Sequence, residues 1–154
     1  MGVHALIDEF LGHRRIAVVG VSRRPADFTR ALFREFLKHG YDAVPVTPHA
    51  QEVEGRACFA RVQDIREPVE AAMLVTPPAA TDQVVRDCAE AGIPLVWMYR
   101  ARGQGAVSES AASFCRSHEI RVIPGFCPMM FFPDTPWFHR FHGVLLKISG
   151  KYPS

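Results

Sequence analysis

Gly20, Val21 and Ser22, followed at once by Arg23 and Arg24, close the apolar run RIAVVG (15–20) and are the residue types that hold a phosphate. A glycine permits the tight turn. Backbone amides and the Ser22 hydroxyl donate hydrogen bonds, the start of a following helix adds positive potential, and arginines pair with phosphate oxygens. An ordinary strand-to-helix turn with two solvated arginines has the same local sequence. A dinucleotide fingerprint asks for two more glycines, and here Ser22 and Pro25 stand in those places. Arg30, about two helical turns beyond Ser22, either reaches forward to such a phosphate or faces water.

Four further clusters fall where apolar runs end. After VPV (44–46) come Thr47, Pro48 and His49, where a nicotinamide dinucleotide site has a carboxylate for its ribose hydroxyls. His49 suits a phosphate on that sugar, or is a surface histidine without a role. Thr76, Pro77 and Pro78 follow the third run, and Met98 and Tyr99 end the fourth. Cys127 and Pro128 follow the fifth; Cys127 is either a reactive thiol at a ligand-facing edge or a small buried apolar side chain. His139 and His142 lie three apart with no third ligand in view, so no metal site is expected, and no catalytic residue is assigned.

The elements that must position these residues alternate. Strands are predicted at 15–20, 41–46, 70–75, 94–98 and 120–125. Between them, Phe28, Leu32, Phe33, Phe36 and Leu37 recur at helical spacing with Gly40 as the stop, Val84, Val85, Cys88 and Ala91 line a second helix ending at Gly92, and Val107, Ala111, Phe114 and Cys115 share a face of a third. Segment 49–65 reads as a polar connection with a short helical turn near its end. Asp134 or Thr135 caps a last helix that places Phe138, Phe141, Leu145 and Ile148 on one face. The fold class is therefore α/β: a Rossmann-like open parallel sheet of about five strands with helices on both faces, plus a C-terminal helix. Ligands of such sheets bind beyond the carboxyl ends of the strands, where every cluster above is found.

The 154 residues, 48% of them apolar, suit one domain (1–154) with a core over about 14–130 and a helical extension over about 134–150. Eighteen basic against sixteen acidic residues give a net charge of +2, too weak a balance for nucleic acid and suited to a small anionic ligand. No apolar stretch is long enough to span a membrane, and charges at Asp8, Glu9, Arg14 and Arg15 break any signal-peptide core. Cys58, Cys88, Cys115 and Cys127 form no CxxC pair, which predicts a reduced, cytoplasmic protein.

Four stretches in this order, AVVGVSRRP (17–25), the segment from Arg30 through HGYDAVPVTP (39–48), AGIPLVWM (91–98) and GFCP (125–128), resemble the small CoA-binding proteins, single-domain relatives of the succinyl-CoA ligase alpha subunit's amino-terminal domain. The resemblance runs from about residue 14 to 130 and implies a Rossmann-like CoA-binding fold. It implies that Gly20, Ser22 and Arg23 receive the CoA diphosphate, with Arg30 as the basic residue of the next helix. By the same resemblance Thr47 and His49 lie near the adenosine ribose and its phosphate, VTPPA (75–79) lies beside adenine and pantetheine, and Cys127-Pro128 is the cysteine-proline pair after the last strand. The chain departs from the family in the apolar run Met129, Met130, Phe131, Phe132 and in its tail beyond Pro133.

The expected function is binding of CoA or an acyl-CoA without catalysis, as a sensor, carrier or regulatory module, because the ligases do their chemistry with a histidine in a further domain. The ligand's anionic half needs amides and a few cations, and its pantetheine arm a narrow apolar groove. The alternative is an NADP-type redox protein using Arg23, Arg24 or His49 for the ribose phosphate. A mixed disulfide between Cys127 and the pantetheine thiol is a further expectation, and a homodimer is left open.

Overall fold

Four strands are runs of four or five residues buried along almost their whole length, a fifth at the edge is half-buried, and the sheet follows from that. In the computed structural model, which describes residues 2–101 and 103–132, the elements in chain order begin with a helix, Val3–Gly12 (α1), then Arg15–Val19 (β1), Phe28–Lys38 (α2) and Asp42–Val46 (β2). A hairpin of Glu52–Val53 (β3) and Arg56–Ala57 (β4) follows, then Ala71–Leu74 (β5), Pro78–Ala91 (α3), Leu95–Met98 (β6), Glu109–Ser117 (α4) and Arg121–Pro124 (β7). The five long strands form one parallel sheet in the order β2-β1-β5-β6-β7. The chain thus runs outward from β1 to β2 and then returns to β1's other side, which makes the β1/β5 junction the topological switch point.

Alternation along the strands divides the core between two helical layers. Ile16, Val18, Met73 and Trp97 pack with α1 and α2, through Leu6, Ile7, Phe10, Leu32, Phe33 and Phe36. Ala17, Val19, Leu74 and Met98 pack with α3 and α4, through Val85, Cys88, Ala111, Ala112 and Cys115. The α/β class, the five parallel strands and the helices on both faces are as the sequence predicts.

Gly92 ends α3 with a left-handed φ of 75°, while the Gly92 and Ile93 amides donate to the Ala89 and Cys88 carbonyls. Three local features differ from expectation. Segment 3–12 is a helix whose Phe10 ring meets Trp97 edge-on at 5.2 Å. Segment 49–65 contains the hairpin besides its expected turn, which is the 3-10 turn Val62–Asp64. Val107 precedes α4 rather than lying in it, because Ser108 is the N-cap, accepting from the Ala111 amide. The expected C-terminal helix, with His139 and His142, lies outside the described residues. Among the described residues no helix is long and apolar enough to cross a membrane.

Candidate functional site

The register levels the carboxyl ends of the strands. Val19 is opposite Val46 and Leu74, Leu74 is opposite Met98, and Met98 is opposite Pro124. The next residue of each strand continues the ladder: the amides of Gly20, Val75, Tyr99 and Gly125 donate to the carbonyls of Val46, Val19, Leu74 and Met98 at 2.9–3.0 Å. Immediately past this row the chains must diverge, and the gap between them is the site.

Gly20 has φ +101°, and a Cβ built there would lie 2.9 Å from Thr76 Cγ2 and 3.1 Å from the Thr76 nitrogen. Only glycine lets β1 and β5 release their loops this close together. The loop then organises itself. The Ser22 amide donates to Thr29 Oγ1 (2.8 Å), and the Arg24 amide donates to Ser22 Oγ (3.0 Å). Asp27 caps α2, accepting from the Thr29 amide (2.8 Å) and hydroxyl (2.7 Å). Those two bonds, helped by the Arg24 charge and opposed by burial, hold the Asp27 carboxyl below its usual range. The start of α2, offered by the sequence to a phosphate, therefore already carries a carboxylate.

Arg30 is only 8% exposed and lies beneath the loop. Its Nε donates to Glu54 Oε2 (3.1 Å), its Nη2 makes a short contact with the same oxygen, and its Nη1 donates to the Arg23 carbonyl (3.2 Å) and the Ser22 carbonyl (3.4 Å). Arg34 adds a bond to Glu54 Oε2 (3.2 Å) and one to the Pro25 carbonyl (3.2 Å).

Above the loop lies a cleft of about 910 Å³. It brings together Gly20, Val21, Ser22, Arg23 and Arg24 from the first strand end, Thr47 and His49 from the second, and Thr76 and Pro77 from the third. Arg23, Arg24 and His49 are at its rim with Arg61, which is 3.7 Å from Asp64. A second groove of about 380 Å³ shares Gly20, Ser22, Thr76 and Pro77 with the first and continues to Asp27, Phe28, Tyr99 and Gly105. Phe28, 47% exposed, packs on Tyr99 with ring centroids 5.1 Å apart. The Thr76 hydroxyl is turned inward to Thr81 Oγ1 (2.7 Å), which bonds the Ala106 carbonyl (2.8 Å).

The remaining sequence-predicted residues line neither cavity. Arg30 is under the loop, Pro78 is the first residue of α3, and Met98 is fully buried in β6. Cys127 and Pro128 are buried at the start of the 3-10 turn Pro128–Met130. Burial pushes the Cys127 thiol up, partly offset by the Met129 amide and the Tyr99 hydroxyl, which both bond its sulfur. Burial likewise raises the Tyr99 phenol, as does Cys127. Arg61, Gln83 and Asp87 also line the large cleft, beyond the residues to which the sequence points. Arg61 follows the edge segment pairing with β2, and Gln83 and Asp87 lie four apart on the cleft side of α3. The i,i+4 spacing was legible, but the face it borders depends on strand order. Among the described residues no three histidine, cysteine or acidic side chains gather as metal ligands.

The chain is 29% identical over 89 residues to the alpha subunit of an ADP-forming acetate–CoA ligase of Pyrococcus furiosus, covering 57% of this chain and 20% of that subunit. It is 26% identical over 114 residues to the uncharacterized protein YneT of Bacillus subtilis, covering 74% and 82% of the two chains. A hypothetical protein from Pyrococcus horikoshii superposes with a TM-score of 0.75 at 26% identity, covering 84% of this chain and 88% of that one. The family described as CoA binding domain matches residues 14–133. A match of that extent, over the whole five-stranded sheet and its strand-end loops, places the chain in the CoA-binding-domain family.

Proposed function

We propose that the chain binds CoA or an acyl-CoA and does so without catalysing a reaction on it, as a sensor, carrier or regulatory module. The observation that carries this reading is the pair of adjacent cavities at the switch point, which have Gly20, Ser22, Thr76 and Pro77 in common. The larger has room for a nucleotide, with Arg23, Arg24, His49 and Arg61 at its rim, and the smaller is an aromatic-walled groove beside Phe28 and Tyr99. A phosphorylated adenosine diphosphate suits the first and a pantetheine arm the second, with the diphosphate crossing the shared ridge of Gly20, Ser22, Thr76 and Pro77. The end of β2 supports a ligand phosphorylated on its ribose, because Thr47, Pro48 and His49 stand where a free ribose diol is met by a carboxylate. Four free cysteines suit a reducing cytoplasm.

Calorimetric titration with CoA, dephospho-CoA, NADPH and ATP in parallel tests the reading. CoA is expected to bind, and dephospho-CoA to bind about tenfold more weakly, the size of one charge-assisted contact. Heat with NADPH and none with CoA would instead favour the redox alternative. Turnover in an acyl-CoA ligase or transferase assay by the isolated chain would overturn the noncatalytic part.

A further inference from the structure

We infer that Glu54, at the tip of the β3–β4 hairpin, is a positioning residue for the anion-binding loop, acting through Arg30 from the side opposite the ligand. The inference rests on the CoA reading and adds a residue from a segment 30 positions beyond the loop, outside both cavities.

Two observations converge. The first is the hairpin's backbone. Its two-residue connection places Glu54 at φ 51° and Gly55 at φ 76°, the left-handed pair of a type I′ turn. Glycine, asparagine and aspartate favour that conformation, and glutamate is held in it against preference. Its side chain is then delivered to α2, where one carboxylate oxygen receives both the buried Arg30 and the more exposed Arg34.

The second is what the other edge of Arg30 does. Its Nη1 takes the carbonyls of Ser22 and Arg23, two consecutive peptides of the loop. In a trans peptide the N–H points opposite to the C=O, so a carbonyl drawn toward Arg30 turns the following amide away from it. The Arg24 amide so turned is received by Ser22 Oγ. The Arg23 amide is left on the face opposite the guanidinium. Arg30 therefore orients loop dipoles instead of lending its charge directly to a ligand, and Glu54 is what keeps it there.

The two roles for Arg30 predict opposite signs. If Arg30 were a phosphate ligand held back by Glu54, the Glu54→Gln variant would remove a negative charge, free the arginine and tighten CoA binding. As a positioning pair, the same variant loosens the loop, and CoA affinity falls about tenfold, the scale of one charge-assisted bond. Arg30→Lys keeps the charge, lacks the fork that serves carboxylate and carbonyls together, and is expected to fall as far. Arg34→Ala removes the more exposed partner of Glu54 and a bond to the Pro25 carbonyl but leaves Arg30 on the Ser22 and Arg23 carbonyls, and is expected to lower affinity less than Arg30→Lys does.

Hydrogen exchange of the Ser22 and Arg24 amides, which the Thr29 and Ser22 hydroxyl oxygens receive, provides in the ligand-free protein a readout independent of CoA. It is expected to accelerate about tenfold in Glu54→Gln while the sheet amides keep their protection. Unchanged or tighter CoA binding by Glu54→Gln overturns the inference. Should the wild-type protein give no heat with CoA, the functional reading fails by itself, and loop exchange alone decides: acceleration upholds the positioning pair, and an unchanged rate rejects it.

Discussion

A Cβ on Gly20 would stand 2.9 Å from the Thr76 Cγ2 and 3.1 Å from both the Thr76 nitrogen and the Val75 carbonyl carbon. Two of these neighbours are backbone atoms of the adjacent loop, so neither can swing aside. Gly20→Ala also forces an L residue to φ +101°. The strain is about 1–3 kcal/mol for the dihedral alone, and the contact adds to it. The expected outcome is a clear loss of thermal stability with a weakened ligand response, read by calorimetry. A variant as stable as wild type would show that the β1 and β5 loops do not approach this closely.

Thr81 links three segments through one hydroxyl. It bonds the Thr76 hydroxyl and the Ala106 carbonyl, and it is completely buried. A hydroxyl has one proton, so with Thr81 donating to Ala106, Thr76 must donate to Thr81. Thr81→Val keeps the shape and leaves both partners unsatisfied in the interior, at about 1–3 kcal/mol for each buried group. Thr76→Val leaves the bond to Ala106 intact and is expected to cost less. Urea midpoints for the two variants give the comparison, and equal midpoints would reject this hydrogen-bond chain.

The sheet is legible because each long strand belongs to a short, mostly apolar run closed by a turn residue, a local signal that burial on both faces enforces in all but the edge strand β7. The signal for the first helix is equally local, with Leu6, Ile7 and Phe10 on its buried face, but the charges at Asp8 and Glu9 that exclude a signal peptide do not by themselves distinguish a helix from a polar terminus. The hairpin was not legible. Its strands are two residues each, and it is fixed by Glu54 reaching α2 across 20 and 24 residues of sequence. The same distance hid the role of Arg30. Its type and its helix were readable, but its partner was not, and the partner determines that it faces loop carbonyls. Gly20, Arg23, Thr47, His49 and Thr76 could each be placed at a strand end. That the first and third ends adjoin follows from strand order, which no local pattern encodes.

Acid should weaken the fold through identifiable carboxylates. Asp42 is held below its usual range chiefly by the Arg56 bond, with Arg15 adding to it, and Glu54 chiefly by the Arg30 bond. Asp27 is lowered by Thr29. For each, the folded-state pKa lies below the unfolded one, so the unfolded chain takes up protons first as pH falls. Their stabilisation is complete above the unfolded values, about 4 to 4.5, and is lost as pH falls from there through the folded values. Thermal midpoints are expected to be level from pH 7 to about 5 and to drop below about 4.5. Asp42→Asn should flatten part of that drop, and an unchanged acid limb in this variant would remove Asp42 from the explanation.

Cys127 supplies a test of chemistry as well as of burial. The sequence allowed either a reactive thiol able to pair with the pantetheine sulfur or an inert buried one, and the structure gives it 8% exposure and a raised pKa. Exchange and alkylation both require the thiolate, so burial acts against each twice, by lowering the thiolate fraction and by restricting access. In the native protein at neutral pH, iodoacetamide is expected to modify Cys127 more slowly than free cysteine, with the rate still climbing beyond about pH 9. Tyr99→Phe removes a hydrogen bond that favours the thiolate, so its rate profile should move to still higher pH. After incubation with CoA in air, the mass of the denatured protein is expected to carry no adduct. A CoA-sized increment on Cys127 that disappears on reduction would mean that the segment 127–130 opens in solution, and that the pantetheine end reaches it.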